Sequence, residues 1–252
     1  MIGADLTGRR VLVTGASSGI GLATAEMFAR NGATVALNHL ADDPRGPAEA
    51  ARLAGEGHAV IALPGDVSAP GAAEAMVTAG IERLGGLDVL VNNAGTAGTT
   101  TPIAFEDLDA MTEDFWATIL ATNLLGPFRC ARAAAPTLKA SRGAIVNTAS
   151  VAGLGRRGSS VAYSASKAGL INLTRSLARA LAPDVRVTAV APGLVAPPWT
   201  QPWSEARKAA TVGRTMLGRM ARPEDVAETI FFLAAGAAYI TGETITVDGG
   251  AM

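Results

Sequence analysis

Cysteine and histidine are close to absent from this 252-residue chain, which holds one of the first and two of the second. The lone Cys130 excludes an intrachain disulfide and a cysteine-based metal cluster, and so fits a reducing compartment. His39 and His58 are too few for a multi-histidine metal site and leave little to build a Ser-His-Asp triad from, so no metal is expected. Charge is sparse as well. Charged residues make up 17% and the net charge is -1, which offers no electrostatic grip on nucleic acid or an anionic membrane. The most apolar late run, 230–240, is too short to span a bilayer, and the first ten residues lack the apolar core of a secretory leader. The expectation is a soluble, cytoplasmic protein with neither a nucleic-acid nor a membrane partner.

What is abundant is apolar side chain, 49% of the chain, enough for the core of one large α/β domain. Apolar runs at 11–14, 34–38, 59–63, 89–92, 144–148, 185–191 and 244–248 read as strands, with helical spacing between most of them. Strands apolar on both faces and separated by helices predict a parallel sheet covered on both sides, a doubly wound fold. No linker or low-complexity run divides the chain, so 1–252 reads as one domain. The segment 192–216, rich in Pro and Trp at its start, is the candidate substrate loop or lid.

The first strand runs straight into Gly15-Ala-Ser17-Ser18-Gly19-Ile20-Gly21 and then into a helical stretch. Glycines let the backbone turn sharply and approach a ligand, while a helix N-terminus offers free N–H groups and a positive dipole end to a pyrophosphate. Strand, glycine turn and helix together predict a dinucleotide site. Asp66, followed by Val67 after the third strand, either accepts from an adenine amino group or caps the helix starting near Pro70, and the cap is the simpler reading. Asn92-Asn93-Ala94-Gly95 closes the fourth strand at the carboxyl edge, where ligands bind in such sheets. Asn123 lies inside a long helical segment beginning near Leu108, an unfavourable place for asparagine unless its side chain has a task.

Tyr163 and Lys167 are four residues apart in another helical segment, so their side chains share one face. A cation a few Å from a phenol pulls its pKa down from about 10, which is how a tyrosine becomes a general acid or base.

Taken together, the glycine turn, Asn92-Asn93-Ala94-Gly95, Asn123, Ser150 and Tyr163-Ser-Ala-Ser-Lys167 resemble the short-chain dehydrogenase/reductase family in its classical form, over essentially the whole chain. The resemblance implies a single-domain Rossmann-type doubly wound sheet of about seven strands with helices on both faces. It implies an NAD(P)(H)-dependent oxidoreductase acting on a secondary alcohol or ketone, with Asn123, Ser150, Tyr163 and Lys167 as the catalytic tetrad. Tyr163 would exchange the proton, Ser150 would hold the same oxygen, Lys167 would lower the tyrosine pKa and hold the nicotinamide ribose, and Asn123 would position a water. The cofactor would further meet Asn38, His39, Asp66, Val67, Pro192, Gly193 and Val195. A 3-oxoacyl thioester reductase is the alternative within the family, and a catalytically silent dinucleotide sensor the alternative outside it.

Two departures from the family pattern matter. His39 stands where an NAD site often carries an acid, and Leu40 and Ser18 stand where an NADP site often carries a base. Arg45 is the nearest cation, with Asp42 and Asp43 beside it, and the absence of a carboxylate at 39 favours NADP(H) over NAD(H). Pro197 replaces a common threonine near the nicotinamide carboxamide, so that contact passes to backbone at Val195, to Thr200, or is lost.

Arg156 and Arg157 follow Ser150 on a loop that would border the substrate, where a guanidinium can bind a carboxylate or phosphate. Trp199, Trp203 and Met216 would supply an apolar lid. The resemblance also implies a homotetramer, consistent with the apolar character of 115–135 and 163–181 on more than one face.

Overall fold

Seven runs of four to seven residues, built mainly from Val, Leu, Ile and Ala, form the strands of one sheet. The computed structural model describes residues 3–196 and 204–251, apart from the side chains of 207, 208 and 211. In chain order the elements are β1 (Arg10–Val13), α1 (Gly19–Arg30), β2 (Thr34–His39), α2 (Arg45–Gly55), β3 (Val60–Pro64), α3 (Ala72–Leu84), β4 (Val89–Asn92), α4 (Glu113–Leu120), α5 (Gly126–Ser141), β5 (Ala144–Thr148), α6 (Val161–Leu181), β6 (Arg186–Pro192), α7 (Glu205–Val212), α8 (Pro223–Ala235) and β7 (Thr244–Val247). The strands lie in the order β3-β2-β1-β4-β5-β6-β7 and every pairing is parallel. This is the doubly wound sheet expected, with its direction of winding reversed between β1 and β4.

Successive strand residues point to opposite faces, and the two halves of the core follow that alternation. Val11, Val13, Val35, Leu37, Val89 and Val91 pack with α1, α2 and α8, while Leu12, Ala36, Leu90 and Ile145 pack with α3, α5 and α6. Phe28 of α1 and Phe231 of α8 are buried with ring centroids 5.2 Å apart, each contributing on the order of 1.5–3 kcal/mol by leaving water.

The two ends of the sheet are built differently. At the amino edge, Asp88 accepts from the Arg10 backbone N–H (2.9 Å) and Nε (2.8 Å). Burial works to raise the Asp88 pKa, and the Arg10 bonds outweigh it, so the carboxyl ends below its ordinary value. At the carboxyl edge the strands run out into glycine- and asparagine-rich turns.

Two local expectations are corrected. The helix expected from near Leu108 starts at Glu113, because the Thr112 hydroxyl accepts from the Phe115 N–H and caps it there. Asp66 does not cap α3: its Oδ1 accepts from the Ser68 N–H (2.8 Å) and hydroxyl (2.7 Å) in a local turn. α3 instead begins after Gly71, whose N–H donates to Glu74. Among the described residues no helix is long and apolar enough to cross a membrane.

Candidate active site

The turn between β1 and α1 is held from both sides. Gly15 has φ +61°, a left-handed conformation that disfavours a side chain, and a Cβ there would come within 2.8 Å of Ala94 Cα. Its N–H donates to Asn38 Oδ1 (3.2 Å), while Asn93 Nδ2 donates to the carbonyls of Thr14 (3.1 Å) and Gly15 (3.0 Å). A Cβ at Gly21 would lie 2.3 Å from the Gly15 carbonyl, so only glycine lets the first turn of α1 close against the loop.

The start of α1 differs from that of α4. It has no acidic residue in its first turn, and Ser18 makes no side-chain capping bond. α4 has a Thr112 cap with Glu113 and Asp114 in its first turn. The α1 N-terminus therefore keeps free N–H groups and an uncompensated positive dipole end, which fits a pyrophosphate. Ile20, Asn93, Gly95, Pro192, Gly193 and Val195 continue from this turn into a cavity of about 890 Å³ at the carboxyl edge of the sheet.

Ser150, Tyr163 and Lys167 line the same cavity. α6 is capped by Ser160, whose hydroxyl accepts from the Tyr163 N–H (3.0 Å), so the cap that starts the helix also fixes Tyr163 in its first turn. Lys167 follows one turn later and is buried, with Nζ donating to the Thr148 carbonyl (2.8 Å) and lying 5.8 Å from the Tyr163 ring centroid. Ser150 caps a short 3₁₀ turn, Val151–Leu154, that packs on α6. A Cβ at Gly153 would fall 2.6 Å from the Lys167 carbonyl carbon, so this contact requires glycine.

Asn123 sits in a π-helical turn, Ala121–Leu125, between α4 and α5. Its Oδ1 accepts from the Thr96 N–H (2.8 Å) and its Nδ2 donates to the Thr96 carbonyl (2.9 Å) and the Ser166 hydroxyl (3.2 Å). Both side-chain N–H groups are thus engaged by protein, and Asn123 clamps the loop after β4 to α6.

The electrostatics differ from expectation at Tyr163. Burial pushes the phenol pKa above its ordinary value, and the nearby Ser150 hydroxyl opposes this without reversing it. Lys167 does not bring it down, because its ammonium is engaged with the Thr148 carbonyl and is itself disfavoured by burial, its pKa falling to about 8.

Several expected contacts fall elsewhere. Asn38 is buried, its Nδ2 donating to the Leu63 and Gly65 carbonyls, so it supports the glycine turn from below. His39 is buried against α2, where a Cβ on Gly46 would be 2.2 Å from its ring. Val67 is buried against Gly126. Asp66 holds Ser68 through Oδ1. Arg156 turns away from the cavity to an ion pair with Asp248 (2.9 Å) and a bond to the Ala251 carbonyl, whereas Arg157 lines the cavity. Met216 is exposed and borders Gly250. Trp199, Thr200 and Trp203 lie outside the described residues.

Other residues of the site were not anticipated. Thr148 acts through its carbonyl and Thr96 through its backbone, for which no side-chain signal exists. Ser160, three residues before Tyr163, is a helix-start signal that was available. Asp43 reaches back to the glycine turn: it accepts from the Ser17 hydroxyl (2.7 Å) and from Arg45 Nε (2.8 Å) and a terminal guanidinium nitrogen (2.9 Å). Arg45 first, and then Ser17, hold its carboxyl well below the usual range.

Comparison with known proteins agrees with this geometry. Residues 15–252 match a family model described as enoyl-(acyl carrier protein) reductase. The chain is 42% identical over 243 residues to a Streptomyces violaceoruber protein assigned as ketoacyl reductase 2 of the granaticin polyketide synthase, covering 95% of this chain and 94% of that one. It is 39% identical to cis-4-hydroxycyclohexanecarboxylate dehydrogenase of Sinomonas cyclohexanicum, with 96% of each covered. Among solved structures, a Brucella melitensis short-chain dehydrogenase/reductase titled glucose/ribitol dehydrogenase superposes with a TM-score of 0.89 at 34% identity, over 99% of this chain and 98% of that one.

Proposed function

The chain belongs to the short-chain dehydrogenase/reductase family of nicotinamide-dependent oxidoreductases, and on that premise we propose that it interconverts a secondary alcohol and a ketone at the Tyr163 cavity. One arrangement carries the reading: Ser150, Tyr163 and Lys167 meet on a cavity that opens beside the glycine turn. The glycine turn, the α1 N-terminus, Asn93–Gly95 and Pro192–Val195 would hold a nicotinamide dinucleotide, which would supply or accept the hydride. The proton belongs to the chain. The Tyr163 hydroxyl gives it to the carbonyl oxygen in reduction and takes it from the alcohol in oxidation, while the Ser150 hydroxyl donates to the same oxygen as charge develops there. Lys167 adds a positive charge 5.8 Å from the Tyr163 ring centroid, and Asn123 positions α6. The whole chain acts as one unit, with Pro192–Val195, Ala210 and Arg214 bordering the substrate.

The reading is tested by following nicotinamide absorbance with both cofactors against a panel of secondary alcohols and ketones. Absence of any turnover that depends on Tyr163 would overturn it. A second reading, reduction of a 3-oxoacyl thioester, is favoured by the 42% identical relative assigned as a ketoacyl reductase, and acetoacetyl thioesters in the same panel decide between the two.

For the cofactor, the position of Asp43 outweighs the missing carboxylate at 39. A carboxylate touching Ser17 of the glycine turn can accept from an adenosine 2′-hydroxyl and repels a 2′-phosphate, and it already occupies Arg45, so we favour NAD(H). Asp43→Asn is expected to raise the NADP(H)-to-NAD(H) ratio of kcat/KM about tenfold, a 1.4 kcal/mol change. An unchanged ratio would remove Asp43 as the determinant.

We also read the protein as a cytoplasmic homotetramer. Leu125 and Phe128 at the α4–α5 junction, and Tyr239 and Ile245 near β7, are large exposed apolar side chains suited to burial between copies. The single cysteine, Cys130, is free, and disulfides are rare in the reducing cytoplasm. Sedimentation equilibrium giving a monomer mass, or fractionation placing the protein outside the cytoplasm, would refute the respective point.

A further inference from the structure

We infer that the substrate carries an anionic group, a carboxylate or a phosphate, at the cavity mouth, where Arg157 and Arg214 hold it while the reacting carbon lies at Tyr163. The inference rests on the oxidoreductase reading of this cavity and goes on to name its substrate class.

Both arginines line the cavity that contains Ser150, Tyr163 and Lys167. Among the described residues no aspartate or glutamate lines it, so the described charged groups facing this space are all cationic. Lys167 is buried deep and engaged with Thr148, whereas Arg157 and Arg214 are exposed, which puts the two free charges at the mouth. Neither arginine has an ion-pair partner among the described residues. Some other arginines are paired, Arg45 with Asp43, Arg52 with three glutamates, Arg156 with Asp248 and Arg219 with Asp225, and what sets Arg157 and Arg214 apart from the remaining arginines is that they line this cavity. Both guanidiniums border the one cavity, and their planar forks suit carboxylate or phosphate oxygens.

Arg157 is also oriented in advance. Its guanidinium lies over the Phe105 ring, 5.5 Å from the centroid, and the two loops are joined by the Ile103 N–H donating to the Ser159 carbonyl (2.8 Å). Ile103, Leu194 and Val195 line the space with apolar surface. The substrate that fits is an apolar body with a ketone or alcohol inside and a negative charge at the entrance.

The test compares matched ketones on the whole protein. One arm uses levulinate and its methyl ester, the other acetoacetyl-coenzyme A and acetoacetyl-N-acetylcysteamine, so that carboxylate and phosphate are read separately. The anionic member of at least one pair is expected to have the higher kcat/KM. That preference should fall about tenfold in Arg157→Ala and again in Arg214→Ala, as loss of a charge-assisted hydrogen bond implies. It should persist in part in Arg157→Lys and shrink with added salt.

Calorimetric affinity for the same four compounds gives a readout independent of turnover. Tighter binding of an anionic member, weakened in the double alanine variant, together with turnover of the ketones supports the inference. Equal affinity and equal kcat/KM within both pairs, with turnover intact, overturns the anionic substrate and leaves the oxidoreductase standing. Binding without any turnover across all ketones overturns the oxidoreductase reading instead.

Discussion

Tyr163→Phe is expected to lower kcat about a thousandfold while leaving the fold and cofactor binding in place, the middle of the range for loss of a general acid. The ring keeps its packing at the start of α6, because the Ser160 cap bonds the backbone N–H of residue 163 and not the phenol. Only the phenolic hydroxyl, with its exchangeable proton and its contact to Ser150, is removed. Steady-state rates beside a thermal unfolding curve and a cofactor titration separate the chemical loss from a structural one, and activity within tenfold of wild type would exclude Tyr163 as the proton carrier. The pH profile follows from the direction of the shift. Burial raises the phenol pKa, so Tyr163 holds its proton at neutral pH and is ready to donate it. Carbonyl reduction should therefore hold from neutral pH downward and decline as pH rises, whereas alcohol oxidation should rise with pH. Opposite slopes would contradict the assignment.

Lys167→Met is expected to lower kcat by about a hundredfold or more, by removing a positive charge from beside a developing oxyanion in a site shielded from water. Stability should move in the other direction with pH. The folded-state pKa of Lys167 is about 8, below the ordinary 10.5, so the folded protein binds this proton less readily than the unfolded chain. The resulting penalty on the wild type is complete below pH 8 and is relieved as pH rises from 8 towards 10.5. Methionine does not titrate. The stability of Lys167→Met relative to wild type should therefore be most favourable at pH 7 and fall between pH 8 and 10.5, measured by denaturant unfolding at pH 7 and 9.5. A pH-independent difference would mean that the ammonium is not desolvated in the fold. The unpaired Thr148 carbonyl left by the substitution costs about 1–3 kcal/mol at every pH and does not alter the slope.

The strands and the glycine turn were legible because their signals are local: an apolar run, then glycines, then helical spacing. The same holds for Tyr163 and Lys167, whose four-residue separation on α6 places them on one face whatever surrounds the helix. The errors arose where a local signal had two physical solutions. Asp66 satisfied the preference of an aspartate for a nearby backbone N–H through Ser68, not through the helix after it. Arg156 and Arg157 are adjacent and chemically alike, yet one meets Asp248 from the far end of the chain and the other meets Phe105.

The sequence by itself determined the doubly wound sheet, the dinucleotide turn and the class of chemistry, since each depends on periodicity or on a motif read along a few residues. Only the tertiary structure decided which side chains serve the cavity and what charge they present to it. It buried His39 under Gly46, drew Asp43 back to Ser17, engaged Lys167 with Thr148, and brought Arg157 and Arg214 to the lining of one space. The reason is physical. Desolvation and ion pairing depend on neighbours distant in sequence, so a titratable group acquires its pKa and its partner only when the chain has closed around it.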